Sequence, residues 1–192
     1  MAMLILGLVL FLGVHSVRIF ADDWRSAQIA RRGENAYKGI YSLVSAAGLV
    51  LIVWGYGQTR VVPIDLWNPP VWTRHLASLF TLGSFVLIAA AYVPRSRIKA
   101  AVGHPMVAGV KLWAFAHLLA NGRAGDVVLV GAFLAWAIVD YVSARRRDRA
   151  AGRKPAPGTL AGDAITVTAG VVAWLVFAMY LHALLIGVRP FG

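Results

Sequence analysis

Five histidines and one lysine stand where this chain is most apolar, and their spacing limits the chemistry they can share. His15 lies in "LFLGVHS", His75 in "WTRHLAS", His104, Lys111 and His117 in "HPMVAGVKLWAFAHLLANG", and His182 in "LHALLIGVRP". A neutral imidazole is a good ligand for haem iron, zinc or copper. Cysteine is absent, which excludes thiolate metal sites and the covalent Cys-x-x-Cys-His attachment of haem. Haem b is the natural candidate in such surroundings, because its porphyrin fits between apolar helices and needs one or two His but no Cys. Another metal remains open, and so does the plainer alternative that each His bonds a backbone carbonyl or faces interfacial water.

The elements that must position these residues are membrane spans. The chain has 192 residues, 59% hydrophobic and 14% charged, with mean hydropathy +0.70, whereas soluble domains carry about 25% charged residues. The composition predicts an all-α, polytopic transmembrane helix bundle, one domain over residues 1–192, without a separate soluble domain. Six spans can be drawn at 2–20, 38–57, 75–93, 105–120, 126–143 and 164–186. Pro63, Pro69 and Pro70 break the second connection, Pro94 stops the third span and Pro105 suits the first turn of the fourth. Asp126 and Asp163 precede apolar runs as N-caps, and Asn121-Gly122 signals a tight turn. The first basic residue, Arg18, follows the first apolar run rather than preceding it, so that run reads as a retained helix and not a cleaved signal.

Sorting Lys and Arg by connection sets orientation. The first, third and fifth connections hold Arg18, Arg25, Arg31, Arg32 and Lys38, then Arg95, Arg97 and Lys99, then Arg145, Arg146, Arg147, Arg149, Arg153 and Lys154. The opposite side holds only Arg60, Arg74, Arg123 and Arg189. By the positive-inside rule both termini are non-cytoplasmic. The net charge of +11 is then topological, with the lipid bilayer and not nucleic acid as the partner. The run "ARRRDRAAGRKPAPG" reads as a cytoplasmic loop, with an anionic-lipid patch as the alternative.

Depth sorts the candidates further. His104 falls at the inner mouth of the fourth span and His117 about 20 Å further out, so one small centre cannot take both. His15 joins His104 as an inner pair, and His75, His117 and His182 form an outer set. The echo of "AHLLANG" in "LHALLIG" places His117 and His182 at similar depth. Lys111 lies about 10 Å inside the membrane from His104, further than a side chain comfortably snorkels, and needs an anionic partner. Asp140 is the nearest candidate; the functional alternative is a haem propionate or an acidic substrate. His104 and Lys111 share one helix face, while His117 and Asn121 share another. Phosphate-binding Gly loops, His-Glu-x-x-His helices and nucleophile settings are absent.

"LFLGVHS", "YSLVSAAGLVLIVWGYG", "HPMVAGVKLWAFAHLLANG" and "LHALLIGVRP" together resemble the NnrU family of bacterial membrane proteins, over nearly the whole chain. The resemblance implies a multi-pass protein of the bacterial inner membrane linked to denitrification. The family is associated with the production of active nitrite and nitric oxide reductases, so a respiratory reductase or its maturation factors are the implied partners. The same domain resembles zeta-carotene isomerase of plants and cyanobacteria, a haem b protein that isomerises a cis double bond when its iron is reduced. Its haem-ligand motifs, a His in a "VHS" setting and a His closing Trp-x-x-x-His, match His15 and Trp113 to His117 here. The isomerase also has a Cys proposed as an alternate ligand, and that position is Ala114 in this chain.

This resemblance makes His15 and His117 the leading haem-ligand candidates and isomerase-like redox chemistry the implied reaction. On depth alone the two lie in opposite halves of the membrane, which leaves His104 and His182 as geometric substitutes. "HPMVAG" also resembles the Arg-His-Pro-x-x-x-Gly motif of membrane methyltransferases that use S-adenosylmethionine, with Gly103 in place of the Arg and no paired glutamates downstream. A cofactor-free assembly partner of a reductase complex is the remaining class.

Overall fold

The computed structural model describes residues 1–191. In chain order the elements are α1 (Ala2–Phe20), α2 (Asp22–Arg32), α3 (Glu34–Val61), α4 (Trp72–Tyr92), α5 (Arg97–Val102), α6 (Pro105–Ala120), α7 (Ala124–Ala150), α8 (Leu160–Val176), a π-helical turn at Phe177–Leu181 and α9 (His182–Ile186). Helices α1, α3, α4, α7 and the segment Leu160–Ile186 are long and apolar enough to cross a membrane, and α6 is the shorter sixth. The six apolar segments of the sequence are therefore all helical. Two connections hold extra helices: α2 in the first and α5 in the third. In α2, Asp22 and Asp23 sit in the first turn and Arg31 and Arg32 in the last, each charge matching the end of the helix dipole it faces.

The chain forms two compact units, Met1–Asn68 with Asn121–Asp140, and Pro69–Ala120 with the residues from Tyr141 onward. In the first, α1 and α3 run antiparallel at close range. Lipid tails are as apolar as the side chains, so no hydrophobic force pulls two immersed helices together, and small residues that let backbones approach supply the contact instead. A Cβ on Gly48 would come within 2.7 Å of the Phe11 nitrogen, one on Gly7 within 2.6 Å of the Ile52 nitrogen, and one on Gly55 would overlap the Leu4 backbone. Leu4, Leu8 and Ile52 are buried at this seam, with Phe11, Tyr56 and Phe133 packed on them. Asp126 is not an N-cap: α7 begins two residues earlier, and the Asp126 carboxylate accepts the Tyr56 hydroxyl at 2.6 Å. The polar group is taken up by the neighbouring helix rather than by its own backbone.

In the second unit α4 packs on both α6 and α8. The Ser84 hydroxyl donates to the Gly109 carbonyl at 2.8 Å, and Gly170 lies against the Val86 backbone. Trp174 Nε1 donates to Thr81 Oγ1 at 3.2 Å. Asp163 also departs from its expected role. Thr159 is the N-cap of α8, its hydroxyl accepting the Gly162 N–H at 3.0 Å, while Asp163 accepts the N–H groups of Arg97 at 2.7 Å and Ile98 at 3.2 Å and the Ser96 hydroxyl at 3.1 Å. Those are first-turn amides of α5, which lack intrahelical partners, so the aspartate caps a helix far from it in sequence.

The glycine seam is testable by a matched pair. Gly55→Ala forces α1 from α3 and is expected to destabilise the protein by about 1–3 kcal/mol, read as a lower thermal midpoint in detergent. Gly57→Ala, where a Cβ meets nothing within 4 Å, leaves the midpoint unchanged or slightly raised; equal effects at both positions would refute the seam.

Candidate functional site

His15 occupies an aromatic niche in the first unit. The close approach at Gly48 and Phe11 carries the next turn of α1 against α3, where the His15 ring stacks on Phe11 at 4.2 Å and meets Tyr41 at 5.1 Å. Trp136 of α7 stands perpendicular to it at 6.0 Å. His15 Nδ1 is 2.6 Å from the Phe11 carbonyl. A carbonyl can only accept, so the ring nitrogen donates, and in the neutral ring the lone pair falls on Nε2. Among the described residues Nε2 has no hydrogen-bond partner.

Trp136 Nε1 is buried without a hydrogen-bond partner among the described residues. Such an orphan costs about 1–3 kcal/mol unless something satisfies it. Trp136 also walls an apolar groove of about 540 Å³ between α1 and α7, lined by Leu8, Leu12, Val128, Ala132 and Val139 among others. Trp136 thus touches both the His15 ring and the apolar groove.

His117, in the second unit, makes the same bond from Nδ1. Its Nδ1 donates to the Trp113 carbonyl at 2.9 Å, and its ring lies 5.1 Å from that of Trp113. The Trp-x-x-x-His spacing thus has a direct physical meaning: residue i−4 supplies the carbonyl that orients the imidazole. His182 also donates from Nδ1, to the Val188 carbonyl at 2.7 Å, after the π turn. His75 is exposed at the start of α4. Among the described residues no three His, Cys, Asp or Glu side chains converge to hold a metal ion.

His104 and Lys111 belong to a different cluster, also within the second unit. His104 precedes α6, and its Nε2 donates to Asp148 at 2.8 Å; Arg153 reaches the same carboxylate at 3.4 Å. The nitrogen that a ligand would use is therefore already engaged. Lys111 Nζ sits 4.6 Å from the centre of the Tyr141 ring. Its neighbour is an aromatic face and not the carboxylate of Asp140, because the face of α7 turned to α6 carries Tyr141, Arg145 and Asp148 at i, i+4 and i+7. Tyr141 donates its hydroxyl to the Val102 carbonyl at 2.8 Å and lies edge-on to His104 at 6.4 Å.

Tyr41, Trp136, Tyr141 and Asp148 were not singled out by sequence. Asp148 lies hidden in a basic run, and the aromatics look like ordinary belt residues; the spacing of Tyr141, Arg145 and Asp148 was the available signal. Asp148 stands on the charged extension of α7 beyond its apolar stretch. Burial works to raise its carboxyl, but the hydrogen bond and charge of His104, with Arg153 and Arg145, outweigh that and hold it below the ordinary carboxylate range. A depressed carboxyl stabilises the fold above its unfolded value and loses that contribution as pH falls through its folded value. Thermal midpoints measured between neutral and acidic pH are expected to fall, and Asp148→Asn to remove part of that fall; an identical pH profile in the variant would sink the assignment.

A family model described as NnrU protein matches residues 3–190. No curated protein and no solved structure matches the chain.

Proposed function

The chain belongs to the NnrU family, and on that premise we propose that it is a bacterial inner-membrane protein that binds haem b, with His15 and His117 as the leading candidate ligands, and supports nitrogen-oxide respiration. The observation that carries the reading is the Nδ1 bond that the two imidazoles share. Each donates Nδ1–H to the carbonyl one turn back on its own helix, at 2.6 Å for His15 and 2.9 Å for His117. That bond fixes ring orientation and tautomer and raises the basicity of the other nitrogen, as the outer-shell partners of metal-bound histidines do.

A bound haem would supply one-electron chemistry at its iron. The chain's own part is to present the imidazoles, to exclude water with Phe11, Tyr41 and Trp136 around His15, and to offer an apolar groove along α1 and α7. In this reading the protein serves the activity or maturation of nitrite and nitric oxide reductases, by redox chemistry or haem delivery. Isomerase-like redox chemistry is the enzymatic form of the same site.

The test is the absorption spectrum of the purified protein, oxidised and dithionite-reduced. A Soret band is expected, with loss or a shifted reduced spectrum in His15→Ala and His117→Ala and no change in His75→Ala. A preparation that stays colourless after haem is added overturns the reading and leaves the cofactor-free assembly partner or the methyltransferase-like protein.

A further inference from the structure

Two cations in the second unit, Lys111 and Arg145, make no ion pair among the described residues, although the charge of Arg145 still acts on Asp148. Lys111 lies in the apolar length of α6 with only the Tyr141 face at its ammonium, and among the described residues it makes no hydrogen bond and no ion pair. A cation–π contact offsets part of the desolvation of an ammonium, about 0.5–2 kcal/mol, but satisfies none of its N–H donors. Arg145, one turn beyond Tyr141, is half-buried and likewise has no hydrogen bond or ion pair among the described residues.

The backbone makes a place for Arg145. Gly103 adopts φ +78, and a Cβ there would lie 2.5 Å from an Arg145 guanidinium nitrogen. The one carboxylate of the cluster, Asp148, is already shared by His104 and Arg153. An intramembrane charge is costly and marks a functional site with a missing partner; Lys111 is such a charge, about 10 Å inward from the mouth of α6, where Arg145 lies.

We propose that Lys111 and Arg145 form a binding site for an anionic phospholipid of the leaflet that the positive-inside rule makes cytoplasmic. The depth of Lys111 selects the ligand class. A soluble anion would have to leave water for the apolar layer, whereas a lipid brings its phosphate to the interface with its own apolar body already in place. Basic pockets between helices at the cytoplasmic side recognise acidic headgroups in this way. The Tyr141 ring, fixed through its hydroxyl to Val102, orients the Lys111 ammonium. On α6, His117 lies about 120° around the axis from Lys111.

Native mass spectrometry of the full-length protein, titrated with phosphatidylglycerol or phosphatidylcholine of matched acyl chains, tests it. The wild type is expected to retain one phosphatidylglycerol where phosphatidylcholine is stripped. Lys111→Met combined with Arg145→Gln weakens that retention about tenfold or more, while Lys111→Arg keeps it, with helicity by circular dichroism alike in all three. Equal retention of the two lipids by the wild type, or unchanged retention in the double variant, overturns the site; displacement of the lipid by millimolar inorganic phosphate overturns the lipid assignment in favour of a soluble anion. None of these readouts depends on a haem spectrum.

Discussion

Within a bilayer a polar side chain has no water to bond, and the carbonyl one turn back on its own helix becomes its nearest acceptor. His15, Ser16, His117 and Thr166 all take this partner, at 2.6, 2.6, 2.9 and 2.8 Å. For Ser16 and Thr166 the bond uses the one hydrogen the side chain can give, and the group is quiet thereafter. For a histidine it uses only one of two nitrogens. The same constraint that silences a hydroxyl therefore leaves an imidazole with a defined tautomer and a lone pair on the opposite edge.

The packing that holds the His15 ring in place follows from the same medium. Because lipid rewards no burial of one apolar helix against another, α1 and α3 associate through Gly7, Gly48 and Gly55, where backbones touch. Close contact at Gly48 sets Phe11 against α3, and one turn along α1 the His15 ring is brought beside Tyr41. A bulkier seam would widen the helix spacing and loosen that niche, so glycines about one to three turns from the imidazole help to determine its surroundings.

What was legible in the sequence was what local pattern controls. Six apolar segments, their proline punctuation and the start of α6 at Pro105 could be read because span length and backbone restriction act within one segment. The roles of Asp126 and Asp163 could not. Both stand in first turns, where a cap is the local expectation, yet their acceptors are met by Tyr56 and by α5, residues distant in sequence and adjacent only after folding. Lys111 failed in the same way: its need for a neighbour followed from hydropathy, but whether Asp140 or Tyr141 faced it depended on the rotation of α7, which residue type does not reveal. At His15 and His117 the motif and its spacing were visible, and the i−4 carbonyl that gives the spacing its meaning required only helical geometry.

Helix α6 explains how one short segment can carry two unrelated sets of polar residues. His104 and Lys111, seven apart, differ by about 20° around the axis, whereas Lys111 and His117, six apart, differ by about 120°. The first face meets the Tyr141, Arg145 and Asp148 stripe of α7 and is dominated by charge. The other carries Trp113 and His117 and is dominated by an aromatic ring and an oriented imidazole. The apolar residues between the two stripes, Ala108 and Ala114 among them, are buried and keep α6 close to its neighbours, so that each face reads a different partner across the same helix.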